Sequence, residues 1–285
     1  MKTGLVHATD AGRRGMTLAE MMIGMLLGMV IIAAMLAAYI QYQRTIASTR
    51  FMREVQQNSR FAMAAMDREI AMTGYGLPIA DSQLSTWIPW VSGFTANPSI
   101  VQGASGAPDG ITVAAAYDRV SSLASATAAG ATTITVPSGQ GSLFSPSNRR
   151  VVFIGRCELA RITGVSGDTL TVSRSPTSSV GLRRAHAADA PVEIVRVVSF
   201  ALGTSTNVPV PRRLERTDNG VGGTNWYDRT VAGGIEDLQF SQSGAVLTVV
   251  LRARSEYPDR WYTHPVFNDQ FHRETVTNSI PLRNQ

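Results

Sequence analysis

Apolar positions fall into three regimes along the chain. Residues 21–40 carry no charge and no proline, and at ~1.5 Å per residue they make about 30 Å of helix, enough to cross the hydrocarbon core of a bilayer. Polar residues enter at Gln41, Gln43 and Arg44, yet no helix breaker follows until Gly74, Gly76 and Pro78. Between them Phe51, Val55, Ala62, Met66 and Ile70 recur mostly three and four positions apart, with Arg53, Gln56, Arg60, Asp67 and Arg68 largely on other faces. The pattern predicts one helix over residues 17–73, roughly 85 Å long at ~1.5 Å per residue. Its first half (about 18–40) spans a membrane and its second half (41–73) packs on a head.

The third regime is β. After an irregular stretch at residues 77–107, rich in Pro, Gly, Ser and aromatics, Pro108-Asp109-Gly110 makes a turn into a strand at 111–117. Short strands are predicted at 132–136, 151–154, 159–165 and 169–172, with Ser166-Gly167-Asp168 as a hairpin turn. A long apolar strand at 192–202, interrupted only by Glu193 and Arg196, is followed by a hairpin that pairs 235–241 with 246–254 across Gln242-Ser243-Gly244. The short strands at about 124–191 read as a small β module inserted in a β-rich head that covers 74–285. Trp87 and Trp90 read as rings that staple the irregular stretch to the core, with an exposed sticky patch as the alternative.

Composition narrows this picture only modestly. With 285 residues there is room for one sizeable domain beyond the anchor. The net charge of +5 is a weak basic bias, two units of which lie before residue 16 (Lys2, Arg13 and Arg14 against Asp10). Cys157 is the single cysteine, so no intramolecular disulfide can form and the head relies on its core.

The junction between leader and apolar run is the most informative stretch: Arg13-Arg14-Gly15-Met16-Thr17-Leu18-Ala19-Glu20. A carboxylate entering a bilayer costs about 2.5 to 3.5 kcal/mol at a helix centre and less near the end, so Glu20 calls for compensation. Basic residues before the run place the short leader in the cytoplasm and the head beyond the membrane. The stretch resembles the class III signal of type IV prepilins. That resemblance implies cleavage of the leader (1–15) between Gly15 and Met16 by a prepilin peptidase, and N-methylation of Met16, where family members most often have phenylalanine. It also implies that Glu20 of one subunit neutralises the new amine of its neighbour. Two blander accounts stand beside it: Thr17 and Glu20 at capping-box spacing in an ordinary single-pass anchor, and a secretory signal cut near Ala37 and Ala38.

Further along, Asn58-Ser59-Arg60-Phe61-Ala62 and Asp67-Arg68-Glu69-Ile70-Ala71-Met72-Thr73-Gly74-Tyr75 resemble the PilW branch of minor pilins. The 231–240 stretch (VAGGIEDLQF) and the ending Ile280-Pro281-Leu282-Arg283-Asn284 resemble PilW-type proteins and their pseudopilin cousins alike. The implied fold is α+β and type IV pilin-like: a long N-terminal helix packed on a mainly antiparallel β-sheet head, with the inserted module. The implied partners are other minor and major pilins through a helix bundle, the prepilin peptidase and the inner-membrane assembly platform. The implied location is the bacterial inner membrane, single-pass with the head in the periplasm, and then a pilus fibre or tip.

Candidate chemistry is sparse. Cys157 with His186, His264 or His272 would be the material for a thiol nucleophile, but no local motif joins them and His7 leaves with the leader. His264 and His272 with Asp259 and Asp269 lack the spacing of a zinc site. Asp218-Asn219-Gly220 lacks the later glutamate of a calcium loop and reads as a turn. Arg149-Arg150, Arg183-Arg184 and Arg212-Arg213 with Arg216 would hold nucleic-acid phosphates only if they converged. No cofactor, metal or catalytic residue is expected. The expectation is therefore a structural assembly protein, a minor pilin in pilus priming or a tip complex that supports motility, adhesion or DNA uptake. A minor pseudopilin of a type II secretion system and an envelope-anchored adhesin are the alternatives.

Overall fold

The computed structural model describes residues 16–78, 81–89, 91, 94–103, 107–145, 150–203, 212–218 and 227–282. The chain divides into two units, residues 1–50 and 51–285. In the first, the described residues form the N-terminal part of helix α1 (Leu18–Ala71, 54 residues). Residues 21–40 of it carry no charged side chain, and none of the membrane-length window is buried.

In the second unit the rest of α1 becomes amphipathic, as its spacing predicts. Val55, Ser59, Ala62, Met63, Met66 and Ile70 are buried, and the apolar ones share a core with Phe200, Leu214, Leu238, Leu247 and Leu251 of the sheet. Three polar clamps fix this face. Ser59 Oγ donates to Glu274 Oε2 at 2.9 Å, Arg216 Nη2 donates to Glu69 Oε1 at 2.7 Å, and Asn278 Nδ2 reaches both Asp67 oxygens at 2.7 and 2.9 Å. Hydrogen bonds to charged groups each contribute about 1.5–3 kcal/mol. The helix ends where Gly74 and Gly76 take positive φ (80° and 70°), and Gly74 N donates to Ala114 O. At Gly76 a Cβ would lie 2.6 Å from Ala116 Cβ and 2.8 Å from Phe153 Cδ1, so only glycine lets the chain come this close to the sheet.

Among the described residues the sheet has eleven antiparallel strands: β1 (Ser99–Val101), β2 (Gly110–Ser122), β3 (Thr133–Thr135), β4 (Val151–Ile154), β5 (Glu158–Ser166), β6 (Thr169–Ser173), β7 (Pro191–Gly203), β8 (Arg212–Asp218), β9 (Tyr227–Ser243), β10 (Val246–Arg254) and β11 (Arg273–Pro281). They lie in the order β11-β10-β9-β8-β7-β4-β5-β6-β3, with β2 also on β7 and β1 on β2. Strand β7 joins everything. One edge pairs with β2 from Pro191 to Phe200; the other pairs with β4 at Val192–Ile194 and with β8 at Val198–Gly203.

Each part has its own core. Leu123, Ile134, Phe144, Ile154, Ile162, Leu170 and Val192 are buried together among β3–β6 and the start of β7, with no helix α1 side chain among them. A third cluster forms where Leu77, Leu84, Trp87, Ile88 and Phe94 cover Ala116, Val151, Phe153 and Val197.

The α+β architecture is as the sequence predicts: one long N-terminal helix and a large antiparallel sheet. The irregular stretch at 77–107 differs, for it contains a short helix α2 (Asp81–Trp87) and strand β1. Trp87 is 5% exposed and staples that stretch to the core; Trp90 lies outside the described residues. Strands β8 and β11 escape the hydrophobic pattern because their sequences, RRLERTD and RETVTNSIP, are mostly charged or polar. β11 is an edge strand, where polar residues block further pairing.

Candidate functional site

The first candidate is the start of α1. Thr17 N donates to Glu20 Oε2 at 2.8 Å and Thr17 Oγ1 donates to the same oxygen at 3.0 Å, while Glu20 N donates back to Thr17 Oγ1 at 3.3 Å. This reciprocal box satisfies helix-start donors that would otherwise lack partners. All of its carboxylate contacts fall on Oε2. Beyond it, every large apolar side chain of residues 16–40 is exposed, from 47% at Ile40 to 78% at Leu18. An apolar surface of that extent is stable only against lipid or against other apolar helices. Gly15 and the leader lie outside the described residues; Met16 is described and exposed.

The second candidate lies in the head, where the fold brings together residues that no local motif joins. The β4–β5 turn exposes Cys157. His186 is held beside it by a two-way backbone bridge to Thr127. His186 Nδ1 lies 4.0 Å from Cys157 Sγ, and His186 Nε2 lies 3.2 Å from Oε2 of Glu158. His186 and Glu158 are buried, and Glu158 also accepts the backbone N–H groups of Arg183 and Arg184. These partners place the ring proton on Nε2 and turn the Nδ1 lone pair toward sulfur. Cys157 and Glu158 border a cleft of about 440 Å³ whose wall includes Trp87, Arg174, Arg183 and Arg184. Local sequence offered no signal for this grouping, since Cys157 and His186 are 29 residues apart.

The third candidate is the loop at residues 255–272. His272 Nε2 meets Asp259 Oδ2 at 3.0 Å, both buried, and the His272 ring stacks on Tyr262 at 3.9 Å between centroids. His264 Nδ1 accepts from the backbone of Val266 and Phe267. Asp269 is bound twice by Arg273, whose guanidinium also holds Glu236. The hydrogen bond from Arg273 keeps the Asp269 carboxyl below its usual range. At Glu236 burial pushes upward, but Arg273, Arg252 and Arg254 outweigh it and the net displacement is downward. The loop is thus a structural clamp in which Asp269 and the neighbouring strand's Glu236 already share the Arg273 cation. Among the described residues no three His, Cys, Asp or Glu side chains gather as a metal-ligand group.

Among the described residues the arginines of these pairs have separate surroundings. Arg216 binds Glu69 of the helix, Arg183 and Arg184 border the cleft, and Arg150 reaches Ser145 O at 3.4 Å. Arg213 is exposed on β8. Arg149, Asn219, Gly220 and the side chains of Arg212 and Asp218 lie outside the described residues.

Comparison with known proteins speaks to the first candidate. The chain matches no curated protein. Among solved structures it is similar to the endosialidase of phage phi92, at 10% identity and a TM-score of 0.21, over 62% of this chain and 33% of that one. The chain thus spans about a third of that protein, and so weak a likeness assigns neither fold nor activity. Residues 10–36 match the family described as the prokaryotic N-terminal methylation motif. That match, continued by a helix apolar enough to cross a membrane, supports a type IV pilin-like protein, anchored first in a membrane and then built into a fibre.

Proposed function

We propose that this chain is a PilW-like minor pilin, a structural component that primes a type IV pilus or belongs to its tip. The leader is cut between Gly15 and Met16, the Met16 amine is methylated, and residues of about 18–40 hold the precursor in the inner membrane with the head in the periplasm. The helix then enters a bundle with other pilins and supports motility, adhesion or DNA uptake. Residues of about 124–191 are an insertion in the head.

One observation carries the reading. Glu20 stands five residues past Gly15, inside the matched motif and on the first turn of an apolar helix exposed on all sides. Its capping box uses Oε2 alone, so Oε1 is available to a neighbouring subunit's Met16 ammonium. In a low-dielectric bundle such a pair is strong, and removing one partner of a buried pair costs about 3–5 kcal/mol.

Glu20→Ala is expected to leave cleavage normal and to reduce incorporation into fibres sharply, measured by immunoblot of membrane and sheared-fibre fractions. Incorporation at the normal level would remove the charge pair from the account. Mass spectrometry of the native N-terminus checks processing, with methylated Met16 as the expected first residue. A retained leader in cells with active peptidase would overturn the pilin reading. Co-isolation with secretion components in place of pilus subunits would replace it with a pseudopilin.

A further inference from the structure

We propose that the cleft beside Cys157 is a covalent capture site for a small anionic disulfide, by thiol–disulfide exchange. A nucleophile, a base within reach and a third group that orients the base are the signature of an activated thiol. Cys157, His186 and Glu158 stand in that relation, with Sγ 4.0 Å from Nδ1 and Nε2 3.2 Å from the carboxylate. Separations of this length often tighten when a ligand closes over the site. The thiol is exposed while its base and orienting acid are buried, so the sulfur can be approached and its support stays fixed.

The cleft supplies selectivity. Its volume of about 440 Å³ suits a small molecule. Arg174, Arg183 and Arg184 stand along it, and among the described residues none of these three guanidinium groups is paired with a carboxylate. Glu158 keeps its negative charge while its oxygens accept from two backbone N–H groups and meet His186, so it offsets only part of the charge of the three arginines. The excess of positive charge around the thiol concentrates anions there.

The exchange balances without any outside oxidant. His186 Nδ1 takes the thiol proton, and the Cys157 thiolate attacks one sulfur of the disulfide. A new S–S bond joins Cys157 to that half. The bond within the disulfide breaks, and the other half leaves as a thiolate that recovers the proton from His186. Since Cys157 is the only cysteine, no internal thiol can displace the captured half, and the mixed disulfide persists until an external thiol arrives.

The test uses the full chain in detergent micelles, with intact mass as readout. Oxidised glutathione, an anionic disulfide, is compared with cystamine, a dicationic one. Addition of a glutathione half is expected to be at least ~10-fold faster than addition of a cysteamine half, within the range that electrostatic focusing produces. His186→Gln should slow both. The triple variant Arg174→Ala, Arg183→Ala and Arg184→Ala, which alters only exposed side chains, should abolish the preference by slowing addition of the glutathione half and quickening that of the cysteamine half. Equal rates for the two disulfides in the unmodified chain would overturn the proposal. So would a preference that survives loss of all three arginines, or a Cys157-linked dimer formed in place of the small adduct.

Discussion

The two ends of the sheet reach a buried core by different routes. Around α1, strands β8–β11 are tied to the helix by partners far apart in sequence: Glu69 with Arg216 is 147 residues apart, Asp67 with Asn278 is 211, and Ser59 with Glu274 is 215. At the other end β4, β5 and β6 follow one another as hairpins. Their core draws on neighbours such as Ile154, Ile162 and Leu170. Loop closure over long separations must be met before the contacts are gained, so the helix-bearing part is the slower to form and the hairpin part can organise locally. The halves share β7, whose one edge holds β4 near its start and β8 near its end. A helix whose apolar start is exposed is thus held at its other end by long-range contacts, while the hairpins stand on their own core.

The strongest way to break this comparison is to damage one core and monitor the other. Met66 is fully buried under the helix and Ile162 is fully buried among the hairpins. Met66→Ala and Ile162→Ala should each cost about 2–5 kcal/mol. In hydrogen exchange, Met66→Ala is expected to release β9–β11 while β4–β6 stay protected, and Ile162→Ala the reverse. If either variant lifts protection throughout the sheet, the head is one cooperative unit and the distinction fails.

A smaller effect sharpens the long-range side. Gly234 has φ +69°, and a Cβ there would lie 2.6 Å from Arg254 O and 3.4 Å from Asn58 Nδ2. The close approach joins β9, β10 and the helix at one point. Gly234→Ala should therefore destabilise by roughly 1–3 kcal/mol, from positive-φ strain and overlap together. Gly167→Ala is a fair contrast on the hairpin side, for its φ is also positive, at 57°, but nothing lies within 4 Å of the added Cβ. A denaturant midpoint that falls equally in both variants would show that strain alone, without packing, decides the outcome.

What could be read from the sequence follows the same division. Contacts set by local periodicity were legible: the apolar run, the three-and-four spacing through Val55, Ala62, Met66 and Ile70, and strands β4 and β10 with the bounds they have in the fold. Strand β8 was not, because its one buried apolar side chain, Leu214, lies among charges, one of which, Arg216, pairs with a glutamate on the helix. The Thr17–Glu20 capping box, the blander reading of that carboxylate, was legible because its two members are three residues apart. Cys157 with His186, and Asp259 with His272, were not. Loops bring each pair together, and side-chain chemistry at separations of 29 and 13 residues has no period to betray it.

The gentlest probe of the helix-bearing side is acid. Asp269 and Glu236 share Arg273, and both carboxyls lie below their ordinary values of 3.8 and 4.5 in the folded chain. A carboxylate with a depressed folded pKa lends stability that is complete above its unfolded pKa and is lost as pH falls through the folded one. The melting midpoint should therefore hold from neutrality down to about pH 4.5 and decline below it. Arg273 is expected to keep its charge throughout, since Asp269 and Glu236 raise its already high value despite burial. Arg273→Gln removes the common cation, so its melting midpoint should be lower at neutral pH and should fall less steeply on acidification. The parent and variant curves then converge at low pH, where the protonated carboxyls no longer need a cation. Parallel curves would mean that the acid response originates elsewhere, and that the loop at residues 255–272 is held by its ring contacts, including His272 on Tyr262, rather than by charge.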